Sequence, residues 1–455
     1  MKRDPRDRPN ESASAVQTGA TPAAAPASGI LAGTTPRFRL RVAMLVALGV
    51  FAQESVWNFH DAQTPVTLAQ YTSSAALIGL IMGLDNILGI FVQPFMGHLS
   101  DRTRSKWGRR TPYIVVGVPI AAILFTLIPF APNFPALIAV IVLFALTANA
   151  FKPVTESLIA DTQAPQHRSK ANAIGRMASS LTIIVSALLS LFVVDESVEA
   201  AFAISALLMV ACATFLVLGL RESKSAEYRA VVDEDRIEGT EGLGFRAIVK
   251  DIFTDRDRSR LVMIIAIIVA WCAWSGIRAM LTLYGVEGLG LTRGQAGGFT
   301  LPAGVAFLVA ALPVAIVSDR YGRRIVMRIG MGVFAIGTLI GFAVPTVVGT
   351  YVAVLVASVG FAGFVVNATV MLWNLAPSRR MIGVYTGIFS VACAIGSSIG
   401  PAALGGLVDL TDWRYLMFFL AVIAVAALAL TFGVRREYAG TQVAEERLVD
   451  AERAE

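Results

Sequence analysis

The feature that most constrains this chain is a series of long apolar segments that recur along nearly its whole length. A segment of about 20 apolar residues can cross the ~30 Å hydrocarbon core of a bilayer as a helix. Twelve such segments are present, so the sequence predicts an all-α membrane protein with twelve transmembrane helices. Their predicted ranges are 39–60, 74–99, 112–131, 135–160, 170–193, 198–220, 259–285, 295–317, 324–345, 349–375, 382–407 and 413–434.

The composition agrees with a polytopic membrane protein. Of the 455 residues, 56% are hydrophobic and 15% are charged, whereas soluble domains carry about 25% charged residues. The three cysteines and three histidines show neither disulfide nor metal-ligand spacing. The helices contain no nucleotide-binding loop and no Ser-His-Asp set, so we expect neither an enzyme nor a bound cofactor or metal.

One long polar stretch divides the apolar segments into two groups of six. We therefore predict a disordered cytoplasmic tail at 1–38, a six-helix bundle at 39–220, a cytoplasmic loop at 221–258, a second six-helix bundle at 259–434 and a cytoplasmic tail at 435–455. The first tail is predicted to be disordered because it is rich in Ala, Pro, Ser and Thr. Part of the central loop, 244–254, is predicted to form an amphipathic helix at the membrane surface.

Two short basic loops indicate an internal repeat. Both read Ser-Asp-Arg and then Gly-Arg-Arg, beginning at Ser100 in one half and at Ser318 in the other. A second matching pair, Ala-Pro followed by arginine, begins at Ala164 and at Ala376. Duplicated six-helix halves are typical of transporters that bind substrate between the halves near the middle of the membrane.

The distribution of basic residues predicts the orientation. The tails, the central loop and the loops on the same side hold 34 of the 38 Lys and Arg residues. Arg293 and Arg414 fall in the opposite loops, and Lys152 and Arg278 fall inside helices. Because basic loops stay in the cytoplasm, both termini are predicted to be cytoplasmic in a multi-pass protein of the cell membrane. The net charge of +6 is therefore assigned to topology and not to nucleic-acid binding.

The first basic loop carries a family resemblance. The loop and its second copy resemble the Gly-x-Leu-x-Asp-Arg-x-Gly-Arg-type loops of the major facilitator superfamily. The longer first copy, with Gln93-Pro94 before it and Gly108 to Ile114 after it, is similar to the branch of proton-coupled sugar carriers that includes plant sucrose transporters and their bacterial relatives. The resemblance implies the major facilitator fold of two six-helix pseudo-repeats, a sugar or glycoside as substrate, and a coupling proton.

The resemblance also implies a cytoplasmic gate built from both basic loops. Asp101 can accept hydrogen bonds from a helix N-terminus, and the arginines can pair with Asp161. In the family, this cluster holds the two halves together on the cytoplasmic side. The alternative is that the basic residues only fix topology. The predicted gate residues are Asp101, Arg102, Gly108, Arg109, Arg110, Asp161, Arg168, Asp319, Arg320, Gly322, Arg323 and Arg324.

Four charged residues inside the predicted helices are candidates for proton coupling. Glu54 and Asp85 lie at matched depths, ~20 Å and ~22 Å from the inner ends of their helices. Lys152 and Glu156 share one helix face. Since nearby cations and burial change the proton affinity of a carboxylate, movement among these groups would couple transport to protons. The alternatives are static polar contacts, a structural ion pair, or a sodium site on the two deep carboxylates.

Aromatic and amide side chains are candidates for substrate binding. The predicted substrate-binding residues are Gln53, Trp57, Asn58, Asn149, Trp271, Trp274, Arg278 and Asn367. Tryptophan can stack on a sugar face, and amides can bind its hydroxyls. The alternatives are interfacial or packing tryptophans and an Arg278 side chain that extends to the membrane surface.

The resulting function prediction is secondary active transport by alternating access. The leading hypothesis is proton-coupled symport of a sugar or glycoside by a monomer in the lipid bilayer. One alternative is an exporter of a small amphipathic compound. A second alternative is a transporter-like sensor that binds its ligand without translocating it.

Overall fold

The computed structural model describes residues 38–163, 167–220, 258–375 and 382–434. Within these ranges every regular element is helical and no strand is present. The predicted tails and central loop, including its amphipathic helix, lie outside the described residues, apart from Phe38 and Arg258 at their edges. The second matching pair of the repeat, at 164–166 and 376–380, lies outside them as well.

The first half contains six long helices. They are α1 Leu40–Ala69, α2 Ala75–Arg102, α3 Thr111–Leu127, α4 Phe134–Thr162, α5 Arg168–Leu189 and α6 Val198–Gly219. A 3-10 turn, Ile128–Phe130, extends α3, and a π-helical turn, Ser190–Val194, extends α5.

The second half repeats this pattern with one additional short helix. Its long helices are α7 Ser259–Leu283, α8 Leu301–Tyr321, α9 Arg323–Ala343, α10 Val347–Asn374, α11 Ile382–Leu410 and α12 Leu416–Phe432. A π-helical turn, Tyr284–Gly288, follows α7, and the short helix Arg293–Gly297 precedes α8. We call the side with loops 103–110 and Gly322 the basic side, and the other the opposite side.

Eleven described helices are long and apolar enough to cross a membrane. A twelfth span is reached when Arg293–Ala310 and Leu312–Tyr321, which are bent by 51° relative to each other, are counted as one. This bent pair is the eighth segment predicted from the sequence. The predicted all-α membrane fold is therefore confirmed.

Short polar side chains begin several helices on the opposite side. Ser74, Asn133, Ser197 and Thr346 each accept a hydrogen bond from a backbone amide in the first turn of α2, α4, α6 and α10. The first amides of a helix have no partner within the helix, and such caps satisfy them at the membrane surface. The caps explain why these helices begin where the apolar segments begin.

The predicted end of the first helix is wrong. The sequence prediction placed it at residue 60, before Asp61, whereas α1 continues to Ala69 and contains Pro65. Hydrophobicity falls at Asp61, but a helix tolerates a carboxylate where that side chain faces protein or a cavity instead of lipid. As a result, Asp61 and Gln63 lie within a membrane-spanning helix.

The two halves contact each other most extensively through three helix pairs. α2 lies against α11, α5 against α8, and α1 against α7. A Cβ added to Gly79 would overlap the carbonyl oxygen of Pro401, and one added to Gly83 would overlap that of Ser398. Small residues therefore let α2 and α11 approach closely, as is common between membrane helices. The described chain from Phe38 onward forms one compact unit, so the exact bounds of the two bundles stay a prediction.

Candidate functional site

A small cavity lies between the two halves. Its walls come from α1 and α5 of the first half and from α7, the start of α8 and α10 of the second half. The cavity volume is about 30 Å³, which leaves room for a few water molecules. The polar and aromatic residues that line it are Asn58, Asp61, Ser186, Trp274, Arg278, Thr300 and Ser358.

An ion pair crosses this cavity from one half to the other. Arg278 Nη2 on α7 lies 2.6 Å from Asp61 Oδ2 on α1. The same nitrogen donates a hydrogen bond of 2.8 Å to Asn58 Oδ1. Asn58 is fixed in turn, because its amide donates to Thr182 Oγ1 at 2.7 Å. Arg278 was predicted to bind substrate or to extend to the surface, and the structure places it in the cavity wall with Asn58.

Asp61 belongs to a buried cluster with His60 and Asp85. One ligand-type atom from each of the three residues lies within 4.8 Å of the others. His60 is fully buried, and its Nδ1 lies 3.7 Å from Asp61 Oδ1. Neither ring nitrogen of His60 has a hydrogen-bond partner in the described part of the chain. The arrangement can hold a proton or a cation among two carboxylates and an imidazole.

Asp85, the first proton-coupling candidate, is buried and held by its neighbours. Its Oδ1 accepts hydrogen bonds of 2.6 Å from the backbone amide and from the side-chain amide of Asn86. Asn149 donates to the Asp85 carbonyl oxygen at 3.0 Å and accepts a hydrogen bond of 2.7 Å from Gln93. Asn149 was predicted to bind substrate, and here it joins α4 to α2.

Lys152 pairs with Glu54 in this structure. Lys152 Nζ lies 3.7 Å from Glu54 Oε1, and both side chains are partly exposed. Glu156 was predicted to share a helix face with Lys152, and an ion pair between the two was the structural alternative to proton coupling. Instead, the Glu156 side chain is exposed and forms no ion pair with any described residue. Gln53 donates to Glu54 at 3.4 Å and is itself buried.

Of the remaining substrate candidates, Trp274 lines the cavity, whereas Trp57, Trp271 and Asn367 contact neighbouring side chains. Trp274 lines the cavity and stacks on Phe361, with ring centroids 4.5 Å apart. Trp271 meets the edge of the same phenylalanine ring. Trp57 packs against Phe144. Asn367 donates to Ser318 at 2.8 Å and so joins α10 to α8.

The first basic loop forms a buried charge cluster. Asp161 at the end of α4 accepts hydrogen bonds from Arg109 and Arg110, at 2.5 Å and 2.9 Å for the closest contacts. Arg110 also contacts Asp101 at 2.5 Å. Gly108 has a φ of 115°, which suits glycine and lets the loop turn into α3. These contacts join α2, α3 and α4 within the first half.

The second basic loop is more open. Arg323 contacts Asp319 at 3.1 Å, with both side chains exposed. Arg320 lies over the ring of Tyr321, and Gly322 has a φ of 91°.

The remaining gate candidates differ in their surroundings. Arg102 is exposed in the first loop, as Arg320 is in the second. Arg168 begins α5, and its side chain lies outside the described part of the structure. Arg324 is described and makes contacts of its own.

Two polar contacts close the opposite side between the halves. Asp195, after α5, accepts hydrogen bonds from the Gly294 amide at 2.7 Å and from the Thr292 hydroxyl at 2.6 Å. Arg293 donates to Gln63 Oε1 and to Thr67 Oγ1, both at 2.7 Å. We call this set of six residues the Asp195 contact.

The second contact joins the end of α11 to the start of α2. Asp409 accepts hydrogen bonds from the amides of Ala75 and Ala76, at 2.7 Å and 3.0 Å, and from the Ser74 hydroxyl at 2.7 Å. A carboxylate is well placed at a helix N-terminus, where the helix dipole and free amides favour negative charge. We call this set the Asp409 contact. Together, the two contacts join the halves on the opposite side.

Sequence reasoning missed His60, Asp61, Asp195, Arg293 and Asp409 as site residues. Their partners lie on distant elements, and only the fold shows which carboxylate meets which helix end. One usable signal was present: Asp61 stands next to His60 and seven residues after Glu54, two helical turns along one face.

Comparisons with known proteins identify the family. The model of the Major Facilitator Superfamily matches residues 46–310 and 299–452. A gentisate transporter of Corynebacterium glutamicum is 25% identical over 386 residues, which is 83% of this chain and 84% of that protein. An uncharacterised transporter of the same superfamily from Methanocaldococcus jannaschii is 28% identical over 157 residues, or 34% of this chain and 40% of that protein. Among solved structures, a nucleoside transporter is similar in fold, with a TM-score of 0.69 and 13% identity over 87% of this chain and 100% of that chain.

Proposed function

Because the chain belongs to the Major Facilitator Superfamily, we propose that this transporter is a proton-coupled symporter that works by alternating access. Multi-pass insertion in a membrane follows from its apolar helices and its family. The matched family and relatives are transporters and not enzymes, which confirms the expectation that the chain is not an enzyme.

The observation that carries the proposal is the Asp61–Arg278 ion pair across the cavity. A carboxylate and a guanidinium at 2.6 Å on different halves hold the halves together at this level. Breaking a buried pair leaves two uncompensated charges, which is costly in a membrane protein. A proton on Asp61 removes one of them, so protonation and separation of the halves become linked.

Neighbouring groups give the proton a route to Asp61. Asp85 and His60 lie in one cluster with Asp61. The Glu54–Lys152 pair lies about two helical turns closer to the basic side on the same helix, α1. We propose that these groups exchange the proton with the basic side as the carrier alternates. A sodium ion among the same carboxylates is the competing assignment.

A sugar or glycoside is the first substrate candidate. The cavity offers amide, carboxylate and guanidinium groups beside the indole of Trp274. The hydroxyls of Ser186 and Ser358 line the cavity and have no hydrogen-bond partner in the described chain. Unpaired buried hydroxyls are costly unless a ligand or water binds them. This set of donors and acceptors suits a small polyhydroxylated solute.

An aromatic hydroxy acid is the second substrate candidate. It is favoured by Arg278, which can bind a carboxylate with two parallel hydrogen bonds, and by the similarity to a gentisate transporter. With Asp61 protonated, a substrate carboxylate would replace that of Asp61 on Arg278. Export of an amphipathic compound and sensing without transport stay the alternatives in function.

The decisive experiment is uptake into proteoliposomes under an imposed pH gradient. Labelled disaccharides, glycosides and hydroxybenzoates would be screened, and a sodium gradient without a pH gradient would serve as the control. We expect uphill accumulation of one class, driven by protons alone. Accumulation driven only by sodium would contradict proton coupling, and binding without any flux would favour the sensor.

The orientation is proposed from the basic residues, with the basic side and both termini in the cytoplasm and the protein in the cell membrane. No nucleic-acid partner is proposed, and we expect a monomer. Ser73, in the loop after α1, is exposed and offers a labelling position on the opposite side. With the native cysteines replaced, Ser73→Cys and Ser105→Cys should react with an impermeant maleimide from opposite sides. Reaction of both from outside would contradict this orientation.

A further inference from the structure

An apolar groove lies between α2 and α3 near the basic side. Its volume is about 360 Å³, and α4 forms its floor. Met96 lines it from α2, Tyr113 and Val116 from α3, and Ala150 and Phe151 from α4. Val116 is 60% exposed, so the groove is open along its length.

The groove opens away from the substrate cavity. Successive residues of an α-helix are rotated by about 100°. The mean direction of Thr147, Ala150 and Phe151 of α4, which line the groove, therefore differs by about 150° to 170° from the directions of Lys152 and Glu156. Because Lys152 reaches Glu54 in the interior, the groove side of α4 faces the lipid.

A strongly basic loop surrounds the mouth of the groove. The Tyr113 hydroxyl lies 2.6 Å from Thr103 Oγ1. The residues on either side of Thr103, Arg102 and Arg104, are exposed, as is Lys106. Trp107 in the same loop is 61% exposed, which is typical of an aromatic anchor at a membrane surface.

Among the residues that the structure describes, no carboxylate neutralises the three exposed cations. Arg109 and Arg110 are buried and pair with Asp161 and Asp101. Arg104 donates only to the backbone carbonyl oxygens of Asp101 and Thr103. Arg102, Arg104 and Lys106 have no ion pair with any carboxylate in the described ranges. Three positive charges therefore stand above an apolar groove that runs ~9 Å into the membrane, from residue 111 to residue 117 at 1.5 Å per residue.

We propose that this groove binds an acyl chain of an anionic phospholipid whose headgroup is held by Arg102, Arg104 and Lys106. The charge of the loop complements an anionic headgroup, and a basic residue near a membrane surface strengthens binding to anionic lipid by about fivefold. A free anion in solution would need only the cations, whereas the apolar groove suits an acyl chain. The lipid would belong to the leaflet on the basic side and would brace α2 against α3.

The test is lipid binding to the purified full-length protein, titrated by native mass spectrometry. The probes are phosphatidylglycerol and phosphatidylcholine with the same acyl chains. We expect tighter binding of phosphatidylglycerol, about fivefold weaker in Arg102→Gln. Arg320→Gln is the matched control, since Arg320 holds the equivalent exposed position in the second basic loop and should leave binding unchanged.

A second variant tests the groove itself. Ala150→Phe fills the groove floor and should weaken phosphatidylglycerol binding while leaving the loop charges in place. Should this variant not fold, phosphatidylglycerols of increasing chain length replace it, and affinity should rise with chain length. The proposal is overturned if both lipids bind equally, if Arg320→Gln weakens binding as much as Arg102→Gln, or if chain length has no effect.

Discussion

Asp61 on α1 and Arg278 on α7 lie 2.6 Å apart and join the two halves of the chain through a charge pair. Each side chain is only partly exposed, at 25% and 31%. The pair is therefore shielded from bulk water but still reachable by a ligand in the cavity. A group with that access can respond both to a proton and to a substrate.

The first prediction concerns this pair. Asp61→Asn removes the charge that compensates Arg278, so uphill accumulation in a pH gradient should be abolished. Exchange of labelled for unlabelled substrate, which needs no net proton movement, should persist. Uphill accumulation equal to that of the unmodified protein would show that Asp61 does not carry the coupling proton.

The same pair gives a stability prediction. Removing one partner leaves the other charge unpaired, and because both side chains are partly exposed the cost should lie below the ~3 kcal/mol of a fully buried pair. Arg278→Gln and Asp61→Asn should each lower the melting temperature in detergent, whereas the double variant should recover part of that loss. If the losses in the double variant simply add, the two charges are not energetically coupled.

A second prediction separates Lys152 from its two possible partners. Glu54 lies 3.7 Å from Lys152, whereas Glu156 is exposed and unpaired among the described residues. Glu54→Gln should therefore slow proton-driven uptake at least tenfold, and Glu156→Gln, the matched control, should change it less than twofold. Asp85→Asn is expected to resemble Glu54→Gln because Asp85 lies in the His60–Asp61 cluster. Initial uptake rates at a fixed pH gradient would decide.

The sequence predicted the fold well because span length is a local property. Twenty apolar residues must cross the bilayer as a helix whatever surrounds them. The repeat of Ser-Asp-Arg and Gly-Arg-Arg added the division into halves, since each block stands between two such helices. The error at Asp61 has the same origin, because hydrophobicity alone does not show that one side of α1 faces protein.

The site was predicted less well because its contacts join distant parts of the chain. Asp409 binds the start of α2 more than 300 residues away, and no local pattern indicates that pairing. Lys152 could reach a carboxylate one turn along its own helix or one on α1, and the sequence does not show which of them it contacts. Only packing of α1 beside α4 shows that Glu54 is the partner.

The third prediction compares Asp161, which binds the first basic loop, with Asp319 of the second basic loop. Asp161 is buried and binds two arginines, whereas Asp319 is exposed and binds one. Asp161→Asn should cost about 3 kcal/mol, because two buried cations each lose their buried carboxylate partner. Asp319→Asn should cost ~0.5 kcal/mol, as exposed ion pairs do. Thermal unfolding of both variants in the same detergent measures the difference, and equal losses would contradict the assignment of a buried cluster to the first loop.

The last prediction concerns the contacts that close the opposite side. Asp409→Asn keeps the shape of the side chain but removes its charge from the N-terminus of α2, and Asp195→Asn does the same at Gly294 and Thr292. Hydrogen bonds to a charged group contribute about 1.5–3 kcal/mol each, so either substitution should favour the state that opens on this side. Asp412→Asn is the matched control, because Asp412 binds only the Arg414 amide within its own turn. A cysteine at Thr64, which is fully buried in α1, should react faster with an impermeant maleimide in the Asp409→Asn and Asp195→Asn backgrounds, and at an unchanged rate with Asp412→Asn. Unchanged labelling in all three backgrounds would mean that neither contact holds the opposite side closed.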